Sequence, residues 1–112
     1  MLRGEVWLGI WPNDPQKKQR PLLIVTNNLR NQAPNLLDIT VVKLTSLYRQ
    51  DGSEKATNPS EDVIHKFKKP TIIRCGAIFT IEKRYLRNKL QQLPLSVMSQ
   101  VDLCLKTVLD IH

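Results

Sequence analysis

Short apolar runs separated by turn formers fill most of this chain, and one helical stripe closes it. Glu5-Val-Trp-Leu-Gly-Ile-Trp11 is rich in strand formers and ends at Pro12-Asn-Asp-Pro15, a strong turn signal. Gly9 inside that run marks a bulge or a close backbone approach. Pro21-Leu-Leu-Ile-Val-Thr26 predicts a second strand, short and continuous enough to be buried on both faces, and Asn27-Asn28 stops it. Asp38-Ile-Thr-Val-Val-Lys-Leu44 predicts a third strand, again led by β-branched residues. From 45 to 59 the composition turns polar, with Asp51-Gly-Ser53 and Asn58-Pro-Ser60 as breakers, so a long, mobile loop is expected. Residues 63–65 and 71–75 read as two strands around a basic turn. Residues 76–81 continue the second of these after a kink or form a strand of their own.

Residues 83–89 are compatible with a short helix. The last segment is clearer. Val97, Val101, Cys104, Val108 and Ile111 repeat at intervals of 4, 3, 4 and 3, and Met98, Leu105 and Leu109 widen the stripe. That spacing predicts an amphipathic helix of roughly four turns with Pro94 near its first position. Mainly β structure followed by a C-terminal helix is therefore expected, as a strongly bent sheet or open barrel with the helix packed across it. At 112 residues the chain suits one domain spanning 1–112.

Charge changes this picture more than size does. Lys and Arg number 17 against 10 Asp and Glu, a formal net charge of +7. Residues 41–90 hold eleven of those bases against five acids, with clusters at Lys66-Phe-Lys-Lys69 and Lys83-Arg-Tyr-Leu-Arg-Asn-Lys89. A separate cluster stands at Lys17-Lys18-Gln19-Arg20. Grouped bases point to a polyanion partner, through a salt-sensitive field blind to sequence. Charge alone does not separate RNA from DNA or from an acidic protein. The longest aliphatic run, Leu22-Leu-Ile-Val25, is far short of the roughly 20 apolar residues of a membrane span. Residues 1–5 lack a signal-peptide core, so a cytoplasmic protein is expected. Two cysteines 29 positions apart, Cys75 and Cys104, make neither a disulfide framework nor, with His65 and His112, a zinc cluster.

In order along the chain, Arg3-Gly-Glu-Val-Trp-Leu8, Arg20-Pro-Leu-Leu-Ile-Val-Thr26, Leu44-Thr-Ser46, Ile73-Arg-Cys75 and Thr80-Ile-Glu82 resemble the MazF/PemK/Kid toxins. The closing Leu93-Pro94 before a Met/Val-patterned helix fits as well. The resemblance implies a PemK/MazF-like small SH3-like barrel, a homodimer and a toxin neutralised by a cognate antitoxin. It also implies a ribosome-independent endoribonuclease that cuts single-stranded RNA and needs no metal or other cofactor. By this likeness Arg20 and Thr45 are the catalytic residues, Ser46 is a phosphate or sugar contact, and Arg74 is a second phosphate ligand. Read from the residues alone, Arg74 is equally a strand-edge residue tied to an acid such as Glu61 or Glu82. Lys18, Gln19 and Tyr48 are further candidates for RNA binding, Tyr48 either as an exposed aromatic that holds a flipped base or as an anchor of its loop.

The chemistry can be stated independently. Metal-free RNA cleavage uses the ribose 2′-hydroxyl as nucleophile and leaves a 2′,3′-cyclic phosphate and a 5′-hydroxyl. The protein must assist deprotonation of the 2′-hydroxyl, stabilise charge on the phosphorane oxygens and protonate the leaving oxygen. Arginine supplies fixed bidentate donors for phosphate, but its very high pKa makes it hard to accept as a proton carrier. That leaves Arg20 charge stabilisation and, as an alternative, proton donation through a strong hydrogen bond.

Three departures from the family pattern stand out. Gly76 replaces the acid of an Arg-Cys-Asp stretch. The loop 12–19 lacks the relatives' His and Glu, leaving Asp14 as an acceptor or a turn former, and Phe79 takes the place of an Arg. The alternative function is a non-catalytic member of the same fold, one that binds RNA or poisons a protein target such as DNA gyrase. Other residues read as structural: His65 as a strand or surface residue, the cysteines as small core residues, and Trp7, ahead of Trp11, as a core aromatic.

Overall fold

The computed structural model describes residues 1–12 and 14–112. The expected turn at 12–15 includes Asn13, which lies outside the described residues. The elements are β1 (Glu5–Ile10), β2 (Gln19–Ile24), α1 (Asn28–Gln32), β3 (Asp38–Ser46), β4 (Asp62–Lys66), β5 (Pro70–Glu82), β6 (Leu86–Gln92) and α2 (Leu95–Leu109). The strands form a six-stranded sheet in the order β4-β5-β3-β2-β1-β6, every neighbouring pair antiparallel. Mainly β structure with a C-terminal helix is therefore what the chain adopts.

Burial explains the patterns. Leu22, Leu23 and Ile24 are all fully buried, because both faces of the sheet are covered at β2. On one face, Val97, Met98, Val101 and Cys104 of α2 pack on Val6, Leu23, Val42, Leu44, Ile73 and Cys75. On the other, Leu22, Ile24, Ile39, Val41, Ile81 and Leu86 close around Trp11, with Trp7 and Phe79 at the margin. Trp11 is thus the more buried tryptophan and Trp7 only half-buried, reversing the expected order. Trp11 meets Phe79 edge-on at 4.5 Å between centroids.

The kink after Cys75 is real. On β5, Ile78 pairs with Val42 and Arg74 with Lys43, so residues 75–77 have no Cα partner on β3. Extra residues on one strand bend it and raise the local twist. Residues 76–81 thereby continue the same strand. Gly9 is a close-approach glycine: a Cβ there would lie 2.8 Å from Leu86 Cδ2 and 2.9 Å from Leu22 Cδ1, beside a register shift between β1 and β6. The pairs Leu8–Asn88 and Gly9–Leu86 flank that shift.

Three segments differ from expectation. Residues 83–89 are not a helix: a single 3₁₀ turn at Lys83–Tyr85 leads straight into β6. Beside β1 an extended segment satisfies a free edge and ties Lys89 Nζ to Glu5 Oε2 at 2.9 Å, which outweighs local helix propensity. The Asn27-Asn28 stop begins a short helix, because the Asn27 side chain accepts the Arg30 backbone N–H at 2.9 Å as an N-cap. The polar stretch 45–59 starts later than expected, since β3 continues through Ser46. It then folds back on itself through a Tyr48–Glu54 bridge and the Lys55 N–H bonded to Leu47 O at 2.8 Å.

Candidate active site

Strand alternation sets the site. Leu22 pairs with Lys43, and that register, carried two residues past the last ladder pair, brings Arg20 opposite Thr45. Lys43 also pairs with Arg74 on the other side. The face away from α2 is thus apolar at one end and becomes cationic where β2 begins and β3 ends. There Asp14, Arg20, Lys43, Thr45, Ser46 and Lys55 line one open cavity of about 520 Å³.

Within it, Arg20 is 43% exposed in its side chain, and its Nε donates to Asp14 Oδ2 at 2.9 Å. Asp14 also accepts the Gln16 backbone N–H at 3.0 Å, so it is at once a turn former and the acceptor for Arg20. The Arg20 hydrogen bond, helped by that N–H, pulls the Asp14 carboxyl below the usual range. Thr45 Oγ1 accepts a hydrogen bond from Lys55 Nζ at 2.8 Å. Burial, followed by the positive charges of Arg74, Arg49, Lys43 and Arg20, holds the Lys55 ammonium below the ordinary lysine value. Lys43 Nζ stands over the Trp11 ring at 5.5 Å.

Of the seven residues expected from sequence, Arg20, Thr45 and Ser46 line this cavity together. Arg74 borders a second cavity of about 550 Å³ with Asn58, Glu61, Asp62 and Gly76. Its Nη1 donates to Asp62 Oδ2 at 2.9 Å and to Ala56 O at 3.1 Å. The acid beside Arg74 is therefore Asp62 of β4, and the expected partners Glu61 and Glu82 do not hold it. A Cβ on Gly76 would meet only Glu61 Oε2, at 3.9 Å, so no crowding demands a glycine there. Lys18, Gln19 and Tyr48 are exposed and line neither cavity. Phe79 is absorbed by the core against Trp11. His65 packs edge-on with Phe67 at 4.9 Å.

Sequence reasoning missed Lys43 and Lys55. Lys43 was legible, standing two residues before Thr45 on an alternating strand and so on the same face. Lys55 carried no local signal; it reaches Thr45 only because the segment after β3 folds back. Among the described residues no three His, Cys, Asp or Glu side chains cluster as metal ligands, and no helix is long and apolar enough to cross a membrane.

A bent antiparallel sheet backed by one helix thus carries a hydroxyl among clustered cations on its open face. The family of PemK-like, MazF-like toxins of type II toxin–antitoxin systems matches residues 2–109, and the chain belongs to it. Among solved structures, the chain is similar to an endoribonuclease in complex with its cognate antitoxin from a mycobacterial species. That likeness has 25% identity and a TM-score of 0.79, covering 100% of this chain and 97% of the other. A second mycobacterial endoribonuclease is also 25% identical, with a TM-score of 0.75 over 98% of this chain and 91% of the other. The Mycobacterium tuberculosis toxin MazF-mt6 shares the fold at 19% identity and a TM-score of 0.74, covering 96% and 98% of the two chains. No curated protein sequence matches the chain.

Proposed function

We propose that this toxin is a metal-independent, sequence-specific endoribonuclease. In this reading it cuts single-stranded RNA by attack of a 2′-hydroxyl on the adjacent phosphorus, giving a 2′,3′-cyclic phosphate and a 5′-hydroxyl. The observation that carries it is the cavity in which Arg20 of β2 and the hydroxyl of Thr45 on β3 converge among further cations. Two similar structures described as endoribonucleases, each 25% identical over nearly the whole chain, support it. Arg20 and Thr45 are the proposed catalytic residues. Arg20 stabilises charge on the phosphorane oxygens, where a bidentate guanidinium is well matched. Ser46 at the cavity mouth contacts phosphate or sugar. Arg74, Lys18, Gln19 and Tyr48, outside the cavity, hold the flanking strand. Single strands suit the site because their bases are splayed for readout and their sugar is free to align in line.

Two partners belong to the same proposal. A second copy of the chain widens a small surface into a groove long enough for several nucleotides. A cognate antitoxin lays an acidic segment across that groove, as the complex described for the mycobacterial relative encourages.

The test is cleavage of a mixed-sequence RNA in EDTA, with the 5′ ends mapped by sequencing. Discrete cuts are expected, lost in Arg20→Ala and in Thr45→Ala. A folded protein that binds RNA or gyrase without cutting would replace this reading with the non-catalytic one.

A further inference from the structure

A guanidinium does not readily give up a proton, which leaves open what protonates the leaving oxygen. The cavity holds two lysines that the family resemblance did not bring forward; Lys43 Nζ stands over the Trp11 ring at 5.5 Å, and Lys55 is the one bonded to the Thr45 hydroxyl. Lys55 Nζ donates to the Thr45 hydroxyl at 2.8 Å, and the half-buried Lys55 side chain lines the same cavity as Arg20 and Ser46. The charged groups that act on it most strongly are cations. Arg20 faces it from β2, Lys43 from β3, Arg74 from β5 and Arg49 from its own segment, all positive. The carboxylate lining the cavity, Asp14, is taken by Arg20, and Asp62 of β4 is taken by Arg74. Among the described residues Lys55 has no carboxylate within ion-pair distance.

Two of these four cations, Arg20 and Arg74, are themselves paired to Asp14 and Asp62. An ammonium desolvated and set among the four, with no carboxylate bonded to it directly, holds its proton less tightly than a surface lysine. We propose that Lys55 is the general acid of the cleavage step, positioned by Thr45; this rests on the endoribonuclease reading above. As the 2′-oxygen bonds to phosphorus, the phosphorus–O5′ bond breaks, and an Nζ proton of Lys55 passes to the departing O5′. The 2′-hydroxyl proton leaves to a cavity water. Neutral Lys55 then takes a proton from solvent, and the protein returns to its starting state. Thr45, by accepting from Nζ, fixes the ammonium beside the phosphate that Arg20 binds.

Removing a positioned general acid costs roughly 10²- to 10⁴-fold in rate. The diagnostic substrate carries sulfur in place of the bridging O5′ at the mapped cut site, because a thiolate leaves without protonation. Lys55→Met and Lys55→Gln are expected to lose about 10²-fold or more on the oxygen substrate and to cut the sulfur substrate nearly as well as wild type. In wild type, kcat/KM on the oxygen substrate is expected to fall as pH rises through a value below the ordinary lysine pKa of about 10.4. Lys55→Arg, charged throughout that range, loses this limb. If both variants lose equally on both substrates, or Lys55→Arg keeps the full rate and the limb, Lys55 is not the acid. A wild-type protein that cuts neither RNA overturns the endoribonuclease reading itself, and this step with it.

Discussion

Gly9→Ala tests whether the site depends on a backbone contact between strands far apart in the chain. The new methyl would sit 2.8 Å from Leu86 Cδ2, 2.9 Å from Leu22 Cδ1 and 3.3 Å from the Tyr85 carbonyl oxygen. Leu22 is fully buried and Leu86 is 5% exposed, so neither side chain has free space to retreat into. The carbonyl belongs to the backbone entering β6. Overpacking of this kind costs about 1–3 kcal/mol. Against it, alanine narrows the unfolded ensemble, a gain of about 0.4–1 kcal/mol where the native backbone is unstrained. The clash wins, for a net loss of about 1–2 kcal/mol. At this chain length that is a fall in Tm of roughly 4–10 °C. Because Gly9 pairs with Arg20 across β1 and β2, the variant should also cut RNA less well than its residual folded fraction predicts. The control is Gly76→Ala, whose Cβ has nothing nearer than 3.9 Å and should change stability by less than about 0.5 kcal/mol. Urea unfolding of both, at constant m-value, gives the comparison. A Gly9→Ala protein as stable as wild type would refute the close-approach argument.

Three further outcomes follow from the same structure. Asp14→Asn removes the carboxylate bound to Arg20, adding one net positive charge to the face proposed to bind RNA. The log–log salt slope for a 2′-O-methyl RNA, measured by anisotropy, should then steepen by about 0.7; an unchanged slope would place Asp14 away from the RNA. Burial by itself would raise the Glu5 carboxyl, but bonds from Lys89, the Leu2 N–H and Trp7 Nε1 together hold it below its ordinary value. A carboxyl depressed in the folded state lends stability above its unfolded pKa and loses it as pH falls through the folded one. Glu5→Gln should therefore flatten the acid limb of stability followed by circular dichroism, and an identical limb would contradict it. Burial pushes the Cys75 thiol up to about 12, so it should resist a thiol reagent at pH 8 until the protein unfolds. Rapid native labelling of Cys75, read by mass spectrometry, would contradict that packing.

Much of this protein is legible in its sequence because burial imposes a local period. The run Leu22-Leu-Ile24 announces a strand covered on both faces, and it is fully buried. The 4-3-4 spacing of Val97, Val101, Cys104 and Val108 announces the helix α2, which supplies the first three to the core, whereas Ile111, the last of the expected stripe, lies beyond the helix and is exposed. The ordered motifs name the family, and with it the pair Arg20 and Thr45, which the sheet then brings to one cavity. Each of these signals is carried by residues close together in the chain.

What the sequence leaves open is every feature whose partner lies far along the chain. Residues 86–92 have no strand pattern of their own, with Leu86 their only buried residue; they are extended because β1 offers an unfilled edge. Asp62, and neither Glu61 nor Glu82, holds Arg74, because the β4–β5 register sets that acid opposite it. Lys55 reaches Thr45 through a fold-back of the chain that no periodicity encodes. Side-chain period reports which face a residue occupies, and that much is local. Which charges share a cavity depends on strand register and loop closure, and those are settled only when distant segments pack.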